Sequence, residues 1–208
     1  MDGLFRASTF FELLMEIIFA TNNRHKLKEV QQLLGHNFNL LSLSDVGIIE
    51  DIPEDFFTLQ ENALQKASVV YQQTGKNCFA DDTGLEIVAL NGQPGVLSAR
   101  YAGKEKNSED NIQKVLRLLK GVPHREAQFR TVIALIYQEK EYLFESVVKG
   151  EILYKKQGNA GFGYDPIFKP LGFKESFAQM DINLKNKISH RGKATAKLVN
   201  FLLEQESQ

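Results

Sequence analysis

The chain has 208 residues, 43% hydrophobic and 25% charged, with a formal net charge of −1. This is the composition of an ordinary globular protein, long enough for one large domain or two small lobes, and its near-neutral charge argues against binding polymeric nucleic acid. The only cysteine, Cys78, can form neither an internal disulfide nor a cysteine-rich zinc site; it reads as a small buried residue and fits a reducing, cytoplasmic compartment.

Phe10 to Ala20 is apolar-rich, but Glu12 and Glu16 interrupt it. It is too short and too charged to span a bilayer and lacks a signal-peptide layout, so no membrane partner is expected. Met15 followed by Glu16-Ile17-Ile18-Phe19-Ala20 reads as a natural start running into a strand. Residues 1–14 are therefore expected to be an added leader, and residues 15–208 a single two-lobed domain. After Thr21-Asn22-Asn23 the spacing of Leu27, Val30, Leu33 and Leu34 predicts a helix, capped by Asn22 or Asn23 and stopped at Gly35. Its first turn holds Arg24, His25 and Lys26. Basic residues there oppose the helix dipole, a conflict that a bound anion would remove.

Leu40 to Ile49 reads as a strand entering a loop, and Glu50-Asp51-Ile52-Pro53-Glu54-Asp55 as a solvated connector. Thr58-Leu59-Gln60-Glu61 has the form of a capping box opening a helix that stops at Gly75. Glu61 thus has two readings, helix cap or metal-site carboxylate. Asn77 to Ala80 and Leu85 to Ala89 are predicted as two strands around an Asp81-Asp82 turn. Adjacent carboxylates on a rigid strand end can present a hard cation such as Mg²⁺, although Asp-Asp-Thr-Gly also has the composition of a plain polar turn.

Ser108 is expected to cap a helix bearing Ile112, Val115, Leu116 and Leu119. Its first turn holds Glu109 and Asp110, so this helix obeys the dipole rule. Gln128–Tyr137 and Tyr142–Ile152 are β-rich, with a hairpin turn over 138–141. In Gly158-Asn159-Ala160-Gly161-Phe162-Gly163-Tyr164-Asp165-Pro166 the glycines admit a ligand, and Phe162 and Tyr164 could stack on a base. The last helix follows Ser189, with His190, Arg191 and Lys193 crowding its first turn, the second start that opposes the dipole. Early strands and helices alternate and a hairpin follows, which predicts α/β architecture with a mixed sheet in two lobes.

Carboxylates for Mg²⁺, basic helix starts for phosphates and an aromatic loop for a base together imply a Mg-nucleoside polyphosphate ligand. No P-loop occurs. A phospho-aspartate phosphatase would want an Asp two residues after its nucleophile, where this chain has Thr83 or Gly84.

Six stretches then resemble the inosine triphosphate pyrophosphatase family in the family's order: Phe19-Ala20-Thr21-Asn22-Asn23-Arg24-His25-Lys26, Glu61-Asn62-Ala63, Phe79 to Leu85, Ser98-Ala99-Arg100-Tyr101, Gly161 to Pro166, and Ser189-His190-Arg191-Gly192. The resemblance implies a two-lobed α/β fold with an elongated mixed sheet, a cleft between the lobes and a homodimer. It implies Mg²⁺-dependent hydrolysis of ITP, dITP and XTP to the monophosphate and pyrophosphate. Asp82 would be the proton acceptor and a metal ligand, supported by Asp81 and Glu61. Thr21, Asn22, Asn23, Arg24, His25 and Lys26 would form the triphosphate segment, with Thr83 beside it. Phe162, Gly163, Tyr164 and Asp165 would form the base loop, and Lys185, His190 and Arg191 the remaining substrate contacts. Asn22 stands where the family usually has Gly, a position where Asn also accepts left-handed backbone. A related pyrophosphatase for other modified bases, and a nucleotide sensor that does not hydrolyse, are the competing readings.

Overall fold

The computed structural model describes residues 15–35 and 38–206, so the leader expected at residues 1–14 lies outside it. Strand β1 (Met15–Phe19) leads into helix α1 (Arg24–Leu34), and β2 (Phe38–Leu41) returns parallel to β1. The apolar run, cap and glycine stop give this βαβ unit in the order read from the sequence. Asn23 is the cap: its Oδ1 accepts from the backbone N–H groups of His25 at 2.9 Å and Lys26 at 3.3 Å.

Helix α2 (Leu59–Thr74) starts at Thr58 and ends at Gly75. There follow β3 (Cys78–Ile87), β4 (Pro94–Gly95), α3 (Ser108–Leu118), β5 (Glu126–Tyr137), β6 (Lys140–Ile152), β7 (Phe168–Pro170), α4 (Ile182–Ile188) and α5 (His190–Glu206). One seven-stranded mixed sheet runs in the order β2-β1-β3-β5-β6-β7, with β4 paired to β3. The β5–β6 turn is Gln138-Glu139, because Tyr137 already pairs with Lys140. Both turn residues have positive φ, 49° and 65°, as a two-residue hairpin that follows the strand twist requires.

Three apolar cores set the layers. Val30 of α1 and Leu198 and Leu202 of α5 pack on one sheet face against Phe79, Ile133 and Leu135. Ala63, Ala67 and Val70 of α2 pack on the other face against Ala80, Val132 and Ala134. Beyond them, α3 and the segment around Phe177 enclose Leu85, Phe129 and Phe168. The last core is the second lobe.

Several readings change. The two short strands predicted around Asp81-Asp82 are one strand, β3, paired with β5 from Cys78↔Ile136 to Ile87↔Ala127. The Thr-Gly step is not a turn: Gly84 is small because a Cβ there would meet the Gly95 carbonyl oxygen at 2.8 Å. Asn107, not Ser108, caps α3. Helix α4, capped by Asp181, is additional to the predicted elements. The acidic connector is partly buried at Ile52 and Glu54 rather than fully solvated.

Candidate active site

Strand β3 is paired on both edges only at its ends. Cys78 and Phe79 lie beside β1, Leu85 and Glu86 beside β4, and Ala80 to Gly84 pair with β5 alone. The chain leaves β1 after Phe19 and turns into α1, which opens a gap in the sheet beside the two carboxylates. Such a departure in an α/β sheet is where a crevice forms.

Neighbouring residues on a strand point to opposite faces. Asp81 pairs in register with Ile133 and faces α1 and α5; Asp82 pairs with Val132 and faces α2. The side-by-side carboxylates therefore serve different surroundings. Asp81 accepts from Lys26 Nζ at 2.7 Å and from Arg191 Nε at 3.1 Å. Burial opposes its charge, but the Lys26 and Arg191 cations prevail and hold its carboxyl well below the usual range. Arg191 also donates to Glu29 at 2.9 Å and to Thr83 Oγ1 at 3.2 Å. Lys185 donates to Glu29 at 2.8 Å and to Asp165 at 2.7 Å. Asp165 in turn accepts from the Phe162 N–H at 2.8 Å. A buried ionic network thus ties the starts of α1 and α5 to β3, α4 and the glycine-aromatic loop.

Asp82 is held differently. Its Oδ1 accepts from the Thr83 N–H at 3.1 Å and from Lys66 Nζ at 3.4 Å. Its Oδ2 is buried and has no hydrogen-bond partner among the described residues. Burial, with Glu54 and Asp81 adding repulsion against the pull of Lys66 and Lys26, raises its pKa above the ordinary carboxylate value. Lys66 also donates to Glu54 at 2.7 Å, and Arg100 donates to the other Glu54 oxygen at 2.7 Å. Burial works against the Glu54 charge, but Lys66 and Arg100 outweigh it and bring its pKa to about 2.

A cavity of about 720 Å³ opens over these groups, within the range that holds a nucleotide-sized ligand. Thr21, Asn22, Asn23, Lys26, Lys66, Asp82, Thr83, Glu54 and Arg100 line one part of it, and Phe162, Gly163, Tyr164, Asp165, Lys185, His190 and Arg191 another. Gly161 and Gly163 have positive φ, and a Cβ on Gly161 would collide with the Asp165 carboxylate. The Phe162 ring has the Lys185 ammonium 5.2 Å and the Arg191 guanidinium 5.4 Å from its centre. Tyr164 is packed in the second-lobe core and donates from its hydroxyl to the Ser98 carbonyl at 2.9 Å, so it shapes the wall more than it offers a free ring. His190 stacks on Phe129 with ring centres 4.4 Å apart. Burial, reinforced by Arg191 and Lys185, lowers its pKa well below 6.5 and keeps it neutral.

The residues predicted for substrate contact thus largely converge. Arg24 and His25 are exposed and outside the lining, although His25 stacks on Phe162 at 5.2 Å. Asp81 is also outside the lining, with both its oxygens engaged by cations. Glu61 is exposed and accepts from Thr58 Oγ1 at 2.6 Å, so of its two readings the geometry supports the cap. Sequence reasoning missed Glu29, Glu54, Lys66 and Arg100. Lys66 had a readable signal: it lies three residues after Ala63 and four before Val70, a charge on the apolar stripe of α2.

The sequence and the fold both have known relatives. A sequence profile described as the Ham1 family matches residues 17–201. A protein of Flavobacterium johnsoniae named dITP/XTP pyrophosphatase is 50% identical over 188 residues, covering 90% of this chain and 98% of that protein. The solved structure of the Staphylococcus aureus Ham1 protein superposes with a TM-score of 0.83 at 38% identity, covering 91% of this chain and 99% of that one. A Mycobacterium abscessus structure titled nucleoside-triphosphatase / dITP/XTP pyrophosphatase gives a TM-score of 0.72 at 40% identity, covering 88% of this chain and 98% of that one. The six-motif resemblance, the profile match along nearly the whole described chain and the shared fold lead to one assignment: this chain belongs to the Ham1 family.

Proposed function

We propose that the protein hydrolyses deaminated purine nucleoside triphosphates, ITP, dITP and XTP, to the nucleoside monophosphate and pyrophosphate. The observation that carries this reading is Asp82 Oδ2, a buried carboxylate oxygen without a partner at the edge of a cation-lined cavity. Its burial and free lone pair suit it to accept a proton from the attacking water as the α–β anhydride breaks. Lys26 and Lys66 supply positive charge for the departing pyrophosphate, with Thr21 and Asn23 beside them. Relatives named dITP/XTP pyrophosphatase support the same substrates.

The donor set suits Mg²⁺. Among the described residues no group of three or more His, Cys, Asp or Glu side chains stands ready for a metal. Mg²⁺ is commonly held by one or two carboxylates together with substrate phosphates and water. The Asp82 and Glu54 carboxylates, which share Lys66, would hold the ion. The ion would supply charge neutralisation on the phosphate oxygens. The chain's own part is to tie the two carboxylates to one ammonium group, that of Lys66, at 2.7 Å from Glu54 and 3.4 Å from Asp82.

At the other end, Phe162 offers a ring for the base. Neutral His190 and the Arg191 guanidinium provide donors facing a purine 6-oxo group. An adenine amino group would set donor against donor, a mismatch that can discriminate by ~10⁴-fold. We also place the protein in the cytoplasm as a homodimer, with residues 15–208 acting as one unit. Those assignments rest on the family resemblance and the lone buried cysteine. Among the described residues no helix is long and apolar enough to cross a membrane. Incubation with dITP and Mg²⁺, followed by product identification, tests the reaction. Pyrophosphate with dIMP is expected; phosphate with dIDP, or bound and unchanged dITP, would reject it.

A further inference from the structure

The Ser98-Ala99-Arg100-Tyr101 motif is a short 3₁₀ turn, Ser98–Arg100, held rigidly from several sides. Ser98 Oγ accepts from the Leu85 N–H at 2.8 Å and donates to the Gly95 carbonyl at 2.6 Å. The Ser98 carbonyl receives the Tyr164 hydroxyl. Asn111 of α3 donates to the Ala99 carbonyl at 2.9 Å and accepts from the Ala102 N–H at 2.6 Å. None of these bonds uses the Arg100 side chain, so the turn is fixed without it.

The guanidinium instead crosses the cavity to the connector before α2. Its Nη1 donates to Glu54 Oε2 at 2.7 Å and its Nη2 to the Glu54 backbone carbonyl at 3.3 Å. One planar fork thus fixes the Glu54 carboxylate relative to its own backbone. Lys66 occupies the other oxygen, Oε1, and reaches on to Asp82. Downstream residues are tied separately to α2, through Asp55 to Gln65 and Phe56 to Asn62. Arg100 is therefore the second-lobe grip on this carboxylate.

We propose that Arg100 is a positioning residue, presented by the second lobe, that sets the Glu54 carboxylate in register with Asp82 for the cation of the polyphosphate substrate. This rests on the reading of Glu54 and Asp82 given above. A lysine cannot replace it, because an ammonium is a point charge and cannot grip carboxylate and carbonyl in one plane.

The test compares Arg100→Ala, Arg100→Lys, Glu54→Gln and the Arg100→Ala/Glu54→Gln double variant. Mn²⁺ binding is read by electron paramagnetic resonance with pyrophosphate present. The Mg²⁺ concentration for half-maximal dITP turnover and each melting temperature are read alongside. Arg100→Ala should weaken Mn²⁺ binding by about 10–100-fold, as loss of a partner behind a metal ligand does, and Arg100→Lys should recover little of it. In the Glu54→Gln background, Arg100→Ala should add almost nothing, because it acts through that carboxylate. Unchanged Mn²⁺ affinity, a fully additive double variant, a fall in melting temperature alone, or no Mn²⁺ binding by the wild type would each overturn the proposal. Failure of the wild type to release pyrophosphate from dITP would sink the pyrophosphatase reading instead, and the Mn²⁺ measurements would still decide the role of Arg100.

Discussion

Replacing Asp81 with asparagine should damage stability, whereas the same change at Asp82 should damage chemistry. Asp81 is the shared counter-charge for Lys26 and Arg191, at 2.7 and 3.1 Å. Removing one member of a buried ion pair typically costs about 3–5 kcal/mol, because the surviving charge is left uncompensated. Glu29 still pairs with Arg191, which puts the expected loss near the bottom of that range, about 3 kcal/mol. For a chain of this size that is a fall in Tm of roughly 6–12 °C. Asp82 has the opposite sign. Its folded pKa lies above the ordinary value of 3.8, so the ionised form at neutral pH weighs against the fold. Asp82→Asn should leave Tm unchanged or raise it slightly, while kcat falls about 10²–10⁴-fold through loss of the proton acceptor. Calorimetric melting and pyrophosphate release on the same preparations decide the matter. Pyrophosphate should also raise the Tm of Asp81→Asn more than that of the wild type, since phosphate oxygens can replace the missing counter-charge. Equal melting losses in the two variants, or full activity in Asp82→Asn, would refute the division of labour.

Glu61→Ala should cost about 0.5–1 kcal/mol by weakening the cap of α2, with kcat and Mg²⁺ dependence unchanged; a shift in Mg²⁺ dependence would restore Glu61 to the metal site. Gly84→Ala should detach β4 from β3, because the new Cβ would lie 2.8 Å from the Gly95 carbonyl oxygen; proteolysis near residues 88–97 should quicken, and native-like resistance would contradict this. His190 is neutral in the fold, while in the unfolded chain it gains a proton as pH falls below about 6.5. The stability it contributes is therefore present above that pH and lost below it, by up to ~1.4 kcal/mol per pH unit until the folded pKa is reached. His190→Phe keeps a ring against Phe129 and should remove that loss; equal slopes between pH 7 and 5.5 in variant and wild type would count against a depressed His190.

Much of this was legible in local sequence. Thr58, Asn23 and Gly75 mark helix ends because caps are local chemistry, and the β5–β6 hairpin announces itself through two long β-rich runs. The cavity residues near Lys26 and His190 were legible because basic side chains at a helix start conflict with the dipole. In the fold that conflict is relieved partly by Asp81 itself, which the sequence alone could not bring alongside. Asp81-Asp82-Thr83-Gly84 was misread as a turn because polar residues before glycine have that local preference. Pairing with β5, some fifty residues away, overrides it. Glu54 was hidden because its stretch passes for a solvated connector, and Arg100 stands in a family-like stretch without a role of its own; only tertiary contact joins them. Glu29 lies beside the apolar face of α1, and its cations come from the far end of the chain.

The split between the two β3 acids makes the chain sensitive to parity. Inserting or deleting one residue between Phe79 and Asp81 would exchange the outlooks of the acids, sending each toward the other's helix, although every side chain of the site would still be present. A change of two would preserve the odd and even assignment and disturb only reach. Natural length variation in this strand should therefore be absent or come in pairs.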